Sequence, residues 1–356
     1  MINEKLYLGW QIGITYEAQK PAGNTLPDML KLLDEMADNG MNILSLMMTS
    51  YAYFDPAHDG FAWPVQNKKL ECFRDKRCLN ADAKTEFVST VIEEAEKRGI
   101  EIQLFSNLAI YNPERIKAAY PGAALQRGRN GEDRGWVFCP DSADIWQLEN
   151  DEMEDLLRFY NHKNVKSIGY ERLSYSSGSC YCDASAEKFM KDTGKPIFDY
   201  GEGDALFDDW KVKSITGKMS ELNEKIKTIK PGMEVWLHSS CAPGWGHDAG
   251  RLRGAGVDCV VPHVAHFQMD KAGFNGLLDR VGPNDTVLHF CVRSKALPNY
   301  KIWQKTPEII EEIGDWALGY RRANGRLKGI LFFNENTVSD ENRAAVYRLT
   351  KKFKNT

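Results

Sequence analysis

Eight short apolar runs punctuate the chain, and most are followed by a turn signal and then by a stretch of helical period. The runs are YLGWQIGIT (7–15), MNILSLMM (41–48), IEIQLFS (100–106), VKSIGY (165–170), MEVWLHS (233–239), VDCVVPHV (257–264), DTVLHFCV (285–292) and LKGILFF (327–333). They read as continuously apolar, which suits strands buried on both faces of a parallel sheet. The helical stretches have clear ends. In LPDMLKLLDEMADNG, Leu30, Leu33 and Met36 share one face, Asn24 or Thr25 can cap the start, Pro27 sits in the first turn and Gly40 stops it. TEFVSTVIEEAEKRG repeats the pattern, TPEIIEEIGDWALGYRRANG precedes the eighth run, and SDENRAAVYRLTKKF closes the chain. A strand-then-helix order carried through eight units predicts an α/β fold, a (β/α)8 TIM barrel. No glycine-rich dinucleotide fingerprint follows the first run, which weighs against an open doubly wound sheet. With 356 residues and no linker or low-complexity tract, one barrel domain over residues 1–356 is expected.

Bulk charge narrows the partners. A net charge of −4 with no long Lys/Arg run offers no field for a phosphate backbone, so nucleic acid is not an expected partner. No window of 18 apolar residues reads as a membrane span, and MINEKLYLGWQIGITYE lacks the parts of a signal peptide, so a cytoplasmic location is expected. Eight cysteines are few for a disulfide scaffold of this length. Those in apolar runs such as VDCVV read as small buried hydrophobes. No cofactor is implied, and oligomeric state is left open.

Three long connections break the rhythm, at 49–80, 107–142 and about 171–182, after runs two, three and four. All leave C-terminal strand ends, where barrel enzymes place their chemistry. Those ends offer Tyr16, Glu17, Tyr51, Asn107, Glu171, His238, His263, His266, His289, Arg293 and Glu335, with Trp63 and Trp245 in loops on the same side. Carboxylates, imidazoles and aromatic plates are what a sugar site uses. Glu171 and Glu335 are the nominated catalytic pair: one carboxyl donates to the leaving oxygen, the other attacks or activates water. A salt bridge from Glu171 to Arg172, and a helix-capping role for Glu335 near Ser339, are the structural alternatives. Tyr16, Glu17, Tyr51, Trp63, Asn107, His238, Trp245, His263, His289 and Arg293 are the expected carbohydrate-binding groups. Two rival readings stay open. Histidines 238, 263, 266 and 289 could hold a divalent metal with Glu171 or Glu335, although their spacing matches no metal motif. A carbohydrate-binding barrel without catalysis is the other.

A strand-four glutamate, a short loop, then CYCDASAEKF and a helix resembles a segment of β-galactosidase-like and related glycoside hydrolases, and FCPDSADIWQLENDEMEDLLRFY at 138–160 is similar to the helix that precedes strand four in glycoside-hydrolase-like barrels. The resemblance is local, covering about residues 136–194. It implies that Glu171 is the acid/base glutamate, and that Cys180 and Cys182 match cysteines that help bind a structural zinc in some members. Ser185 stands where a further cysteine would be, so another ligand would have to come from Cys139 or Cys72. The large retaining clan also has Asn before the strand-four Glu and a nucleophilic Glu on strand seven. This chain has Tyr170 and TVLHFCVRS there. Glu335 on strand eight is then the expected second carboxylate.

Overall fold

The computed structural model describes residues 5–13, 25–50, 60–74, 87–107, 113–171, 174–175, 178–282, 284–294, 303–333 and 338–356. Its centre is a closed barrel of parallel strands. In chain order these are β1 (Tyr7–Gly13), β2 (Ile43–Met47), β3 (Glu101–Asn107), β4 (Val165–Glu171) and β5 (Glu234–His238). Then come β6 in two pieces (Cys259–Val260 and His263–Val264), β7 (Thr286–Cys291) and β8 (Leu327–Phe333). β1 closes the ring by pairing with both β2 and β8, and β6 bridges β5 and β7. Every run read from the sequence is a barrel strand. The helices lie where their end signals put them: Thr25 accepts a hydrogen bond from the Asp28 N–H to cap Leu26–Asp38, Thr306 caps Pro307–Asn324, and Ser339 caps Asp340–Lys354. Among the described residues no helix is long and apolar enough to cross a membrane.

Strand parity decides what faces the barrel axis. Trp10, Leu44, Leu46, Ile102, Leu104, Ile168, Tyr170, Phe290 and Phe332 have one parity and pack outward in the main core with the helices. The alternate residues point inward and form layers. Tyr7, Ile43, Trp236, Cys259, Val261, Val287 and Leu331 make an apolar floor. Above it the Gln11 side-chain amide donates to Ser45 Oγ (3.2 Å), and the Ser45 hydroxyl donates to Gln103 Oε1 (2.7 Å). Met47, Phe105 and Phe333 make the next apolar layer. Gly169 leaves room for it, since a Cβ there would meet Phe105 at 2.9 Å and Gln103 at 3.2 Å. The same inward parity, one step further along each strand, sets Glu171, His238, His263 and His289 at the C-terminal mouth, with Glu171 in register with His238 and His263 with His289.

The helix before β4, Ala143–Phe159, carries three buried acids. Asp155 accepts from the Trp63 indole N–H (2.8 Å) and from the Gln66 and Asn67 N–H groups (3.0 and 2.7 Å), which clamps the segment after β2. The Ser106 hydroxyl donates to Glu152. Neither oxygen of Glu149 has a partner among the described residues. Burial, reinforced by the charge of Glu152, pushes the Glu149 carboxyl well above its ordinary value of 4.5. The folded chain therefore keeps a proton that the unfolded chain releases above about pH 4.5, and stability should fall as pH rises from there, by about 1.4 kcal/mol per unit at most. Glu149→Met should flatten that limb and add about 1–3 kcal/mol near neutrality by removing an unpaired buried carboxyl. Urea denaturation from pH 4 to 8 tests it, and parallel curves for the two proteins would refute it.

Candidate active site

The loops after β5 and β6, with the end of β4, enclose a cleft of about 520 Å³ over the barrel mouth. Glu171, Ser174, His238, Trp245, His263 and His266 are among its lining residues. Glu171 closes β4, and its carboxyl is buried with Oε2 3.1 Å from His263 Nε2. His238 Nδ1 lies 3.3 Å from the same His263 nitrogen. Behind them His289 Nδ1 lies 3.3 Å from His266 Nε2. Phe105 packs on His238 and Phe333 on His289, with ring centroids 4.5 and 4.6 Å apart. This apolar surround sets the charge state. Burial, then the neighbouring His263, draws His238 down to about 3, and the same two causes hold His266 and His289 well below the usual imidazole range. Burial thus favours the neutral form of all three rings.

Two residues with left-handed backbone shape the walls. Ala265 has φ 60° just after β6, a conformation that non-glycine residues rarely adopt. The turn folds His266 back over His263, with the rings stacked at 5.0 Å. A spacing of three residues unsuited to one strand face is thereby brought together. Gly246, at φ 87°, follows the Pro243–Trp245 turn, and a Cβ there would sit 2.4 Å from Ile215. The turn presents Trp245 at 47% exposure, and Phe267 on the other wall is 63% exposed. Large aromatic side chains left this open at a cleft offer flat apolar faces to a ligand.

The structure thus brings Glu171, His238, His263 and Trp245 to one cleft, with His289 directly beneath. Asn107 ends β3 in register with Glu171. Arg293 is buried, its guanidinium 4.8 Å over the Phe333 ring, with Nε and one Nη unpaired among the described residues. Trp63 is elsewhere: fully buried, stacked on Phe61 at 4.4 Å and bonded to Asp155, it presents no face to a ligand. Tyr16, Glu17, Tyr51, Arg172 and Glu335 lie outside the described residues. Tyr170 points away from the mouth, its hydroxyl donating to Asn223 Oδ1 (3.0 Å). At the mouth β7 presents His289, and Thr286–Cys291 carries no carboxylate. Sequence reading missed His247, Ser239 and Phe267. His247 is fixed by a 2.7 Å bond between its Nδ1 and Ser239 Oγ. These residues come from the short connections after β5 and β6, which carried no length signal.

Beside the cleft the sulfurs of Cys139, Cys180 and Cys182 lie within 4.8 Å of one another, all buried. Cys72 is exposed on a separate turn, so Cys139 is the third thiol. Ser185 Oγ stands 3.1 Å from Cys139 Sγ and 3.8 Å from Cys182 Sγ, and donates to Asp141 Oδ2 at 2.6 Å. Hydrogen bonds from Cys139 and Cys180 hold the Cys182 thiol far below its usual range, while burial pushes Cys139 up. Three soft donors fit zinc, with a hydroxyl where a fourth thiolate would complete a closed structural site. Such an ion would tie the segment before β4 to the loop after it. Ser185→Cys should bind zinc more tightly than the parent in a chelator competition; equal affinities would rule out Ser185 as the fourth position.

No protein-family model matches the chain, and no curated protein does at the level of sequence. Solved structures share its fold. The β-galactosidase from the psychrophilic Marinomonas ef1 superposes with a TM-score of 0.67 at 10% identity, over 98% of this chain and 60% of its own. The glycoside hydrolase domain of PgaB (BpsB) from Bordetella bronchiseptica gives 0.68 at 12% identity, over 96% and 98%. The catalytic domain of a β-amylase from Paenibacillus polymyxa gives 0.61 at 9%, over 98% and 99%. The chain therefore spans less than two thirds of that β-galactosidase and nearly all of the other two domains.

Proposed function

We propose that this chain is a glycoside hydrolase-like enzyme, acting on a carbohydrate at the C-terminal mouth of the barrel with Glu171 as general acid/base. The observation that carries the reading is the buried Glu171 carboxyl, oriented by His263 at 3.1 Å, in a cleft rimmed by two exposed aromatic side chains. The fold shared with a β-galactosidase, a glycoside hydrolase domain and a β-amylase supports the reaction class.

In this mechanism Trp245 and Phe267 stack on the apolar faces of sugar rings, and the neutral His238 ring and Ser239 exchange hydrogen bonds with hydroxyls. Glu171 protonates the leaving oxygen and, in the second half of the reaction, takes a proton from water. The barrel supplies the carboxyl's position and His263 its orientation, so little reorganisation accompanies proton transfer. Glu335, which follows β8, is the proposed second carboxylate on topology alone. The test is a screen of aryl glycosides and natural oligosaccharides with the wild-type chain and with Glu171→Gln. Turnover by the wild type that is lost in the variant supports the reading, and a wild-type chain inert on every glycoside overturns it.

A further inference from the structure

We infer that His238, His263 and His289 form a binding site for one borderline divalent cation of the zinc class, with its remaining position open to the cleft beside Glu171. One ring nitrogen from each histidine lies within 4.8 Å of the others. The 3.3 Å between His238 Nδ1 and His263 Nε2 is close to the separation of two nitrogens bound to a tetrahedral ion with zinc–nitrogen bonds of about 2.0–2.1 Å. An imidazole pair at that distance can also be a simple hydrogen bond, but His263 Nε2 faces the Glu171 carboxylate at 3.1 Å as well. One proton on that nitrogen has two acceptors, and the carboxylate is the stronger. His238 Nδ1 then receives no proton from His263, and its Nε2 is buried with no partner among the described residues, so the protein satisfies neither nitrogen of this ring.

His289 supplies a second, independent sign. Its Nδ1 is engaged by His266 Nε2 at 3.3 Å, while its Nε2 is buried with no partner among the described residues. A hydrogen bond on the far ring nitrogen is how metal-binding imidazoles are held in orientation, and it leaves Nε2 as the donor. A buried ring nitrogen without a partner is costly, and a cation would satisfy it. Three nitrogen donors suit zinc, cobalt or nickel and not magnesium or calcium, which take oxygen. Three protein ligands with one position left for solvent is the pattern of zinc sites that do chemistry. The inference concerns binding and does not rest on Glu171 acting as a glycosidic acid; with an ion bound, the His263 proton moves to Nδ1, its Nε2 and His238 serve the ion, and neither then holds Glu171 or a sugar hydroxyl.

The probe is Co²⁺ alone, added to the metal-stripped protein and followed by absorption. Cobalt at the Cys139, Cys180 and Cys182 cluster would show intense thiolate charge-transfer bands, so Cys182→Ser is used to isolate the histidine site. In that background one Co²⁺ per chain should bind with weak ligand-field bands only and be displaced by Zn²⁺. His263→Gln and His289→Gln should each weaken binding by at least about tenfold. His263 is exposed, so its substitution leaves the core intact, and circular dichroism checks the folding of each protein. If Cys182→Ser does not fold, the difference spectrum between wild type and His263→Gln reads the same site. Absence of a nitrogen-ligated cobalt spectrum, or equal affinity in the His263→Gln protein and its parent, overturns the inference.

Discussion

Glu171→Gln should fold as the wild type does and lose about 10²–10⁴-fold in turnover of a glycoside with a poor leaving group, the range of one general acid/base contribution. Folding should survive because glutamine keeps the shape of the side chain and its carbonyl still accepts from His263, whose Nε2 lies 3.1 Å away. The loss should depend on the leaving group. A nitrophenolate departs without a proton, so the first step with an aryl glycoside should be spared far more than the same step with an alkyl glycoside. A nucleophile would show the opposite pattern, with both substrates failing together. Stopped-flow measurement of the first turnover on the two substrate types separates these roles. Equal rates for Glu171→Gln and wild type on the alkyl glycoside would remove Glu171 from the mechanism.

Lys211→Met should cost about 3–5 kcal/mol, the penalty for removing one partner from a buried charge cluster. Lys211 lies on the long helix Ala205–Ile229 and is fully buried. Its ammonium donates to the carbonyl oxygens of Gly178 and, at 2.7 Å, Gly244, pairs with Asp208 at 2.8 Å, and sits 4.8 Å over the Phe207 ring. Gly178 belongs to the connection after β4 and Gly244 to the turn that carries Trp245. Methionine fills the space but leaves two carbonyls and a carboxylate without their cation. The expected signature is a lower urea midpoint together with faster proteolysis within residues 174–182 and 240–248. A midpoint shift worth less than about 0.5 kcal/mol would show that the cluster does not hold these loops.

The barrel was legible because its signal is repeated. Each strand is a local apolar run, and parity then follows from the pleat, so Glu171, His238 and His289 could be placed at strand ends from sequence. Trp63 was misplaced because a loop residue has no parity to read. The segment after β2 returns as a short antiparallel pair, Thr49–Ser50 with Gly60–Phe61, and its fate was decided by Asp155 on a helix almost a hundred residues away. His266 could be seen at the end of strand six but not joined to His263, because the joining depends on one αL residue, Ala265. Alanine carries no mark for that conformation. The thiol cluster was half legible: the resemblance pointed to Cys180 and Cys182 and left the next ligand between Cys139 and Cys72, and only the packing around β4 selects Cys139.

The hydrogen-bonded chain Gln11–Ser45–Gln103 inside the barrel acts as an error check on assembly. Apolar layers tolerate sliding, since one aliphatic contact resembles the next. Directional bonds across three adjacent strands do not. A slip of one residue in β2 would drive Leu44 or Leu46 into the polar layer and turn Ser45 out into the helix-facing core, losing both bonds at once. The mouth of the barrel sits only a few residues further along the same strands. A side-chain layer remote from any substrate thereby sets the height at which the Glu171 carboxyl and the histidine rings meet.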